Sequence, residues 1–135
     1  MTRSLEKAKR MLHDGDYTFV MISNGKEFVS TQTGIAPLLS ILKNSPELMK
    51  GASAADKVIG KAAALLLLYG EVREIYADTV SKHALSLLSQ AGVTLHYGET
   101  APFIMNKNGT GICPMEQRVL EISDPVICYE VLSNL

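Results

Sequence analysis

Two short segments carry residue types that do chemistry, at spacings that matter. The first is Asp56-Lys57-Val58-Ile59-Gly60-Lys61-Ala62. Read as the opening turns of a helix over 54–69 with Ser53 as its N-cap, it puts Lys57 and Lys61 four residues apart on one face. Asp56 then lies near the positive end of the helix dipole, where a carboxylate is favoured. Gly60 removes a side chain between them and lets backbone or ligand approach closely. Two ammonium groups beside a helix N-terminus suit a phosphate or carboxylate, with Lys57 and Lys61 as the anion contacts. The plainer alternative is that both lysines run out to solvent and Gly60 only eases packing.

The second segment is Cys113-Pro114-Met115-Glu116, preceded by the turn-rich Asn106-Lys107-Asn108-Gly109-Thr110-Gly111. Proline is well suited to the first helical position, which makes Cys113 the N-cap and Glu116 the third helical residue. That is a capping box with a thiol in place of a hydroxyl. A thiol aimed at unpaired backbone N–H groups has its thiolate favoured, so Cys113 is the candidate nucleophile, with Asp56 or Glu116 as proton carrier. The negative charge of Glu116 opposes that ionisation, and a purely structural cap stays open.

The remaining polar residues point to less. His13, His83 and His96 fall on separate elements without metal-ligand spacing, so no metal and no cofactor are expected. The glycines after Lys107 lack the pattern of a phosphate loop and read as a turn. Cys128 beside Val126 and Ile127 reads as core, and neither Ser23 nor Ser81 has a histidine at a spacing suggestive of a triad.

The elements that must position these residues follow from periodicity. Residues 1–16 read as an amphipathic helix rather than an export signal. Residues 17–22 and 26–31, joined by Asn24-Gly25, read as a hairpin with a type I′ turn. Ile35, Leu38, Leu39 and Leu42 mark a short helix ended by Asn44-Ser45-Pro46. The helix over 54–69 closes at Gly70, residues 72–77 form a strand, and Ser81 caps a helix that Gly92 ends. Val93, Leu95 and Tyr97 alternate as a strand, Phe103-Ile104-Met105 form a short one, and two helices over 114–122 and 125–132 close the chain. The order argues an α/β fold of three layers, α/β/α, with parallel strand-helix-strand units.

Composition bounds the function. The chain has 135 residues, enough for one domain over 1–135, and 47% apolar against 20% charged residues is the balance of a folded protein. Thirteen basic against 14 acidic residues leave no basic excess, so there is no strong nucleic-acid signal. Two cysteines build neither a disulfide scaffold nor a four-cysteine zinc site, and a reducing cytoplasm is the expected setting. The apolar run 62–69 falls well short of the roughly 18 residues of a membrane span, so no membrane partner is expected.

With hairpin, helix, strand, helix and strand in this order, the chain resembles the cytidine-deaminase-like fold, with its mixed sheet starting from a β-hairpin. Within that superfamily it is most similar to a small uncharacterised prokaryotic family, a domain of unknown function, that carries Asp-Lys-Val-x-Gly-Lys-Ala and Cys-Pro-Met-Glu motifs. Zinc deaminases open one helix with His/Cys-x-Glu and the next with Pro-Cys-x-x-Cys. Here Asp56-Lys57-Val58 stands in the region of the first motif, and Ser81 and Ala84 in the cysteine positions. The resemblance therefore implies the fold without the zinc-bound water, and no conventional deamination. It also implies that two helix N-termini face one cleft, where Asp56, Lys57, Lys61 and Ser81 converge. A segment folding over that cleft from Asn106 to Glu116 would add Asn106 as a ligand contact and bring in Cys113 and Glu116.

The leading expectation is thus a zinc-independent site for a small anionic ligand, a nucleotide or related metabolite, with its reaction type, if any, unassigned. Two alternatives stand beside it. One is a ligand sensor without turnover. The other is a structural homo-oligomer, suggested by the apolar run 62–68 and by Val131-Leu132.

Overall fold

The computed structural model describes residues 1–105 and 108–134. Its first element, α1 (Arg3–Asp14), turns Leu5, Ala8 and Leu12 to one side, the i, i+3, i+7 spacing of a helix stripe. Thr2 caps it: the hydroxyl oxygen accepts from the Leu5 amide at 3.1 Å and donates to Glu74 Oε2 at 2.5 Å. A hairpin follows, β1 (Phe19–Ser23) and β2 (Lys26–Ser30). Asn24 and Gly25 have φ of 50° and 79°, the two positive angles that a type I′ turn requires. After α2 (Ala36–Asn44) come β3 (Ser53–Ile59), α3 (Lys61–Tyr69), β4 (Glu74–Ser81), α4 (Lys82–Gln90) and β5 (Thr94–Ala101). Two short helices complete the chain, α5 (Pro114–Arg118) and α6 (Pro125–Ser133).

The strands form one mixed sheet in the order β2-β1-β3-β4-β5. β1 pairs antiparallel with both β2 and β3, whereas β3, β4 and β5 run parallel. On one face α1 packs Leu5, Ala8 and Leu12 against Val20, Ile22, Ala55 and Tyr76. On the other face the larger core gathers α2, α3, α4 and α6 around Leu65, Leu66 and Leu67, all fully buried. Each such leucine contributes about 2 kcal/mol of transfer free energy. The three-layer α/β/α expectation therefore holds, and so do the hairpin and its turn.

The segment 54–69 is where expectation and structure part. It is not one helix. Its first half is the central strand β3, hydrogen-bonded to β1 on one side and β4 on the other, and only Lys61–Tyr69 is helical. Alternation is lost in a strand covered on both faces, so Ser53, Ala54, Ala55 and Asp56, all buried, carry no period-2 signal. Alanine also favours helices intrinsically, and pairing on two edges overrides that preference. Ser53 accordingly caps nothing; its hydroxyl donates to Glu74 Oε2 at 2.5 Å across the β3–β4 ladder.

Three smaller expectations are also corrected. The strand expected over 72–77 starts later and runs on to Ser81. Residues 103–105 form no strand, only a single bridge from Met105 to Ile112. The helix expected over 114–122 stops at Arg118, because the Val119 and Leu120 amides turn back to Glu116 and Gln117 in a tighter i→i+3 closure.

Candidate functional site

β3 and β4 run parallel as neighbours, so the helices that follow them, α3 and α4, begin at the same end of the sheet. Their starts differ. Ser81 ends β4 and caps α4 as expected, its Oγ accepting from the Ala84 amide at 3.2 Å while the side chain is almost fully buried. Ser81→Ala is expected to lower stability by about 1 kcal/mol, the usual cost of losing a hydroxyl cap, seen as a lower urea midpoint with unchanged slope. α3 begins instead at Gly60, which has no side chain to cap with.

The missing cap comes from the far end of the chain. Glu116 projects from α5, its Oε1 accepting from the Lys61 amide at 2.7 Å and its Oε2 from the Ala62 amide at 2.8 Å. A carboxylate thus straddles two free N–H groups at the positive end of the α3 dipole. Gly60 makes the approach feasible, since a Cβ there would collide with the Glu116 carboxylate and lie 2.8 Å from Ile104 Cγ1. Lys61 returns the contact, its Nζ donating to the Leu120 carbonyl at 2.7 Å. The capping box expected within 113–116 therefore does not form. Cys113 occupies the N-cap position of α5 without a side-chain capping bond, and Glu116 caps a different helix.

Between the two helix starts lies a narrow cavity of about 10 Å³, at the lower limit for a single water. Its polar wall is Lys61, Ser81, His83 and Glu116; its apolar wall is Phe103, Ile104, Ile112 and Leu120. His83 and Phe103 meet edge to face at 6.1 Å between ring centroids. Cys128 on α6 is a core thiol within the electrostatic reach of the same group. Burial first and then the Glu116 charge push it up to about 11, with Lys61 pulling weakly the other way.

Three of the expected site residues, Lys61, Ser81 and Glu116, thus come together at the cavity, and three do not. Asp56 sits within β3, opposite Phe19 on β1 and beside Ala77 on β4, not at a helix start. Burial pushes its carboxyl up to about 8 against the opposing pull of the Val58 and Lys57 amides, and Asp78 adds to the rise. Lys57 is exposed on the same strand and shares no helix face with Lys61. Cys113 is half-buried and does not line the cavity. Asn106 lies outside the described residues. His83 is the cavity residue that sequence reasoning undervalues; its signal is its place in the first turn after the Ser81 cap. Among the described residues, no three of His, Cys, Asp or Glu come together to hold a metal ion.

Residues 7–135 match the family described as a domain of unknown function, DUF1893. The chain belongs to the DUF1893 family. A crystal structure of a DUF1893 family protein from Thermotoga maritima is 33% identical in sequence. The match covers 100% of this chain and 92% of that one, with a TM-score of 0.90. No curated protein matches the chain. Membership of DUF1893 carries the α/β architecture and assigns no reaction. In this DUF1893 chain no described helix is long and apolar enough to cross a membrane.

Proposed function

We propose that the chain is a binding module for a small anionic ligand, a nucleotide or related metabolite, taken at the cleft between the starts of α3 and α4. One observation carries this reading: the Lys61 and Ala62 amides already hold a carboxylate, that of Glu116, in a cradle left open by Gly60. The place and polarity therefore suit an anion, and the ends of parallel strands are where open α/β sheets take ligands. Lys61, Ser81 and His83 supply further donors on the same wall. Binding is preferred to turnover because Cys113, the candidate nucleophile, and Asp56, one of the two candidate proton carriers, lie off the cleft, while the other, Glu116, is engaged by the Lys61 and Ala62 amides.

The order of elements agrees with a deaminase-like arrangement, and we read 1–135 as one such domain. The likeness is taken as one of fold only. At the two helix starts stand Gly60-Lys61-Ala62 and Ser81-Lys82-His83-Ala84, which offer one imidazole and no thiol. That donor set does not fit zinc. Cys113 and Cys128 are free thiols, in keeping with a reducing cytoplasm.

Thermal unfolding with inorganic phosphate or a nucleoside monophosphate tests the reading. A saturable rise in Tm is expected, equivalent to about 2.7 kcal/mol at a hundredfold excess over Kd. His83→Ala, exposed and outside the helix caps, should weaken it, with the ligand-free Tm lowered only by the loss of the edge contact with Phe103. A shift no larger than that of an ionic-strength-matched chloride control would remove the proposal.

A further inference from the structure

We infer that residues 112–120 form a strap fastened across the mouth of the cleft, which opens as a unit while the rest of the fold stays closed. Between Ile112 and Leu120 only Glu116 and Val119 are buried; Ile112, Cys113 and Met115 are half-buried, and the others are exposed. α5 has five residues, too few to persist as a helix without tertiary contacts. What holds the strap is a single fully buried apolar side chain, Val119, with Met115 packed against the same core, and a small set of polar bonds to distant residues. The Glu116 carboxylate lies on the Lys61 and Ala62 amides, Lys61 Nζ on the Leu120 carbonyl, and the Cys113 amide on the Ile104 carbonyl at 2.9 Å. Segments with few apolar contacts open well below the global unfolding free energy.

Release would do two things at once. Ile112, Glu116 and Leu120 would leave the cavity wall, widening a space that now fits one water at most. The same movement frees the Lys61 ammonium and the two α3 amides. The access role rests on the binding reading above, since the carboxylate on the strap then holds the place of the ligand's charge. The opening itself does not depend on that reading.

Native-state hydrogen exchange on the full chain, with no ligand added, tests the strap. The amides of Lys61, Ala62, Cys113, Gln117 and Val119 should share one opening equilibrium and exchange about 100-fold or more faster than those of Leu65 and Leu66. Glu116→Gln should accelerate that set by about tenfold or more, and Leu65 and Leu66 by no more than its loss of global stability, so that the set still exchanges well ahead of the core. Val119→Ala, which keeps the carboxylate, should accelerate the same set. If the set exchanges at the core rate in the parent chain, or if its exchange rises with added urea as steeply as that of Leu65 and Leu66, the strap is wrong whatever the anion titration shows. An opening strap in a chain that binds neither phosphate nor nucleotide would keep this inference and remove the binding reading.

Discussion

Gly60→Ala is expected to cost about 3 kcal/mol and to lower Tm by roughly 10 °C, an unusual penalty for adding one methyl group at a helix boundary. The new Cβ collides with the Glu116 carboxylate, so it displaces the group that satisfies the Lys61 and Ala62 amides. Glu116→Ala should cost about the same on its own, because it leaves two buried N–H groups without their charged acceptor. The combination decides the mechanism. Once Glu116 is truncated, the methyl group added at position 60 is left with the contact to Ile104 and the mild disadvantage of alanine at an N-cap, about 1 kcal/mol together. The double variant should thus lose about 4 rather than about 6 kcal/mol, a coupling of about 2 kcal/mol. Strict additivity in urea denaturation would show that Gly60 is there for some reason other than Glu116.

The second large effect is on pH dependence. The Asp56 carboxyl is pushed up to about 8 from an ordinary 3.8, chiefly by burial. Between those two values the folded chain keeps a proton that the unfolded chain releases. Stability from this group is therefore complete below about pH 4 and declines by up to about 1.4 kcal/mol per pH unit as pH rises toward 8. Above pH 8 the carboxyl is ionised in both states and the decline ends. Asp56→Asn preserves the shape and the acceptor for the Lys57 and Val58 amides, so it should flatten the slope and be the more stable chain at about pH 8. Urea midpoints of both chains at about pH 5 and about pH 8 make the comparison. A parent chain equally stable at the two values would show that Asp56 ionises freely.

Glu74 acts in the opposite direction. Burial pushes its carboxyl up, but hydrogen bonds from Ser53, Thr2 and Arg73 outweigh that and hold it below the usual 4.5. Its contribution is present above the unfolded value and is lost as pH falls through the lowered one. The two carboxylates together place the maximum of their combined contribution near the ordinary carboxylate values, at about pH 4.

Local features are legible wherever one residue type answers one backbone requirement. Asn24-Gly25 marks the hairpin because both positions have positive φ, and Ser81 marks the start of α4 because its hydroxyl reaches the Ala84 amide. The helix-dipole argument for a carboxylate at the start of the buried apolar helix is also sound, but the carboxylate that fills the place is Glu116 and not Asp56. The two motifs do meet in the fold. Their meeting point is the Gly60-Lys61-Ala62 end of the first and the glutamate of the second.

What the sequence by itself determined, then, are the α/β/α class, the antiparallel hairpin, the capped start of α4, and the nature of the groups at the cleft: an ammonium, a hydroxyl, a carboxylate, and a glycine that permits close approach. Those depend on spacing within a few residues. The tertiary structure alone decided that 53–59 is a strand, that Asp56 and Lys57 stand away from the cleft, and that Glu116 caps α3 rather than its own helix. Each of these depends on partners far along the chain: Phe19 lies opposite Asp56 in the ladder, and Glu116 reaches the Lys61 amide across 55 positions. Ladder pairing and a distant carboxylate act only after the chain has closed on itself, and neither leaves a periodic trace in the residues it places.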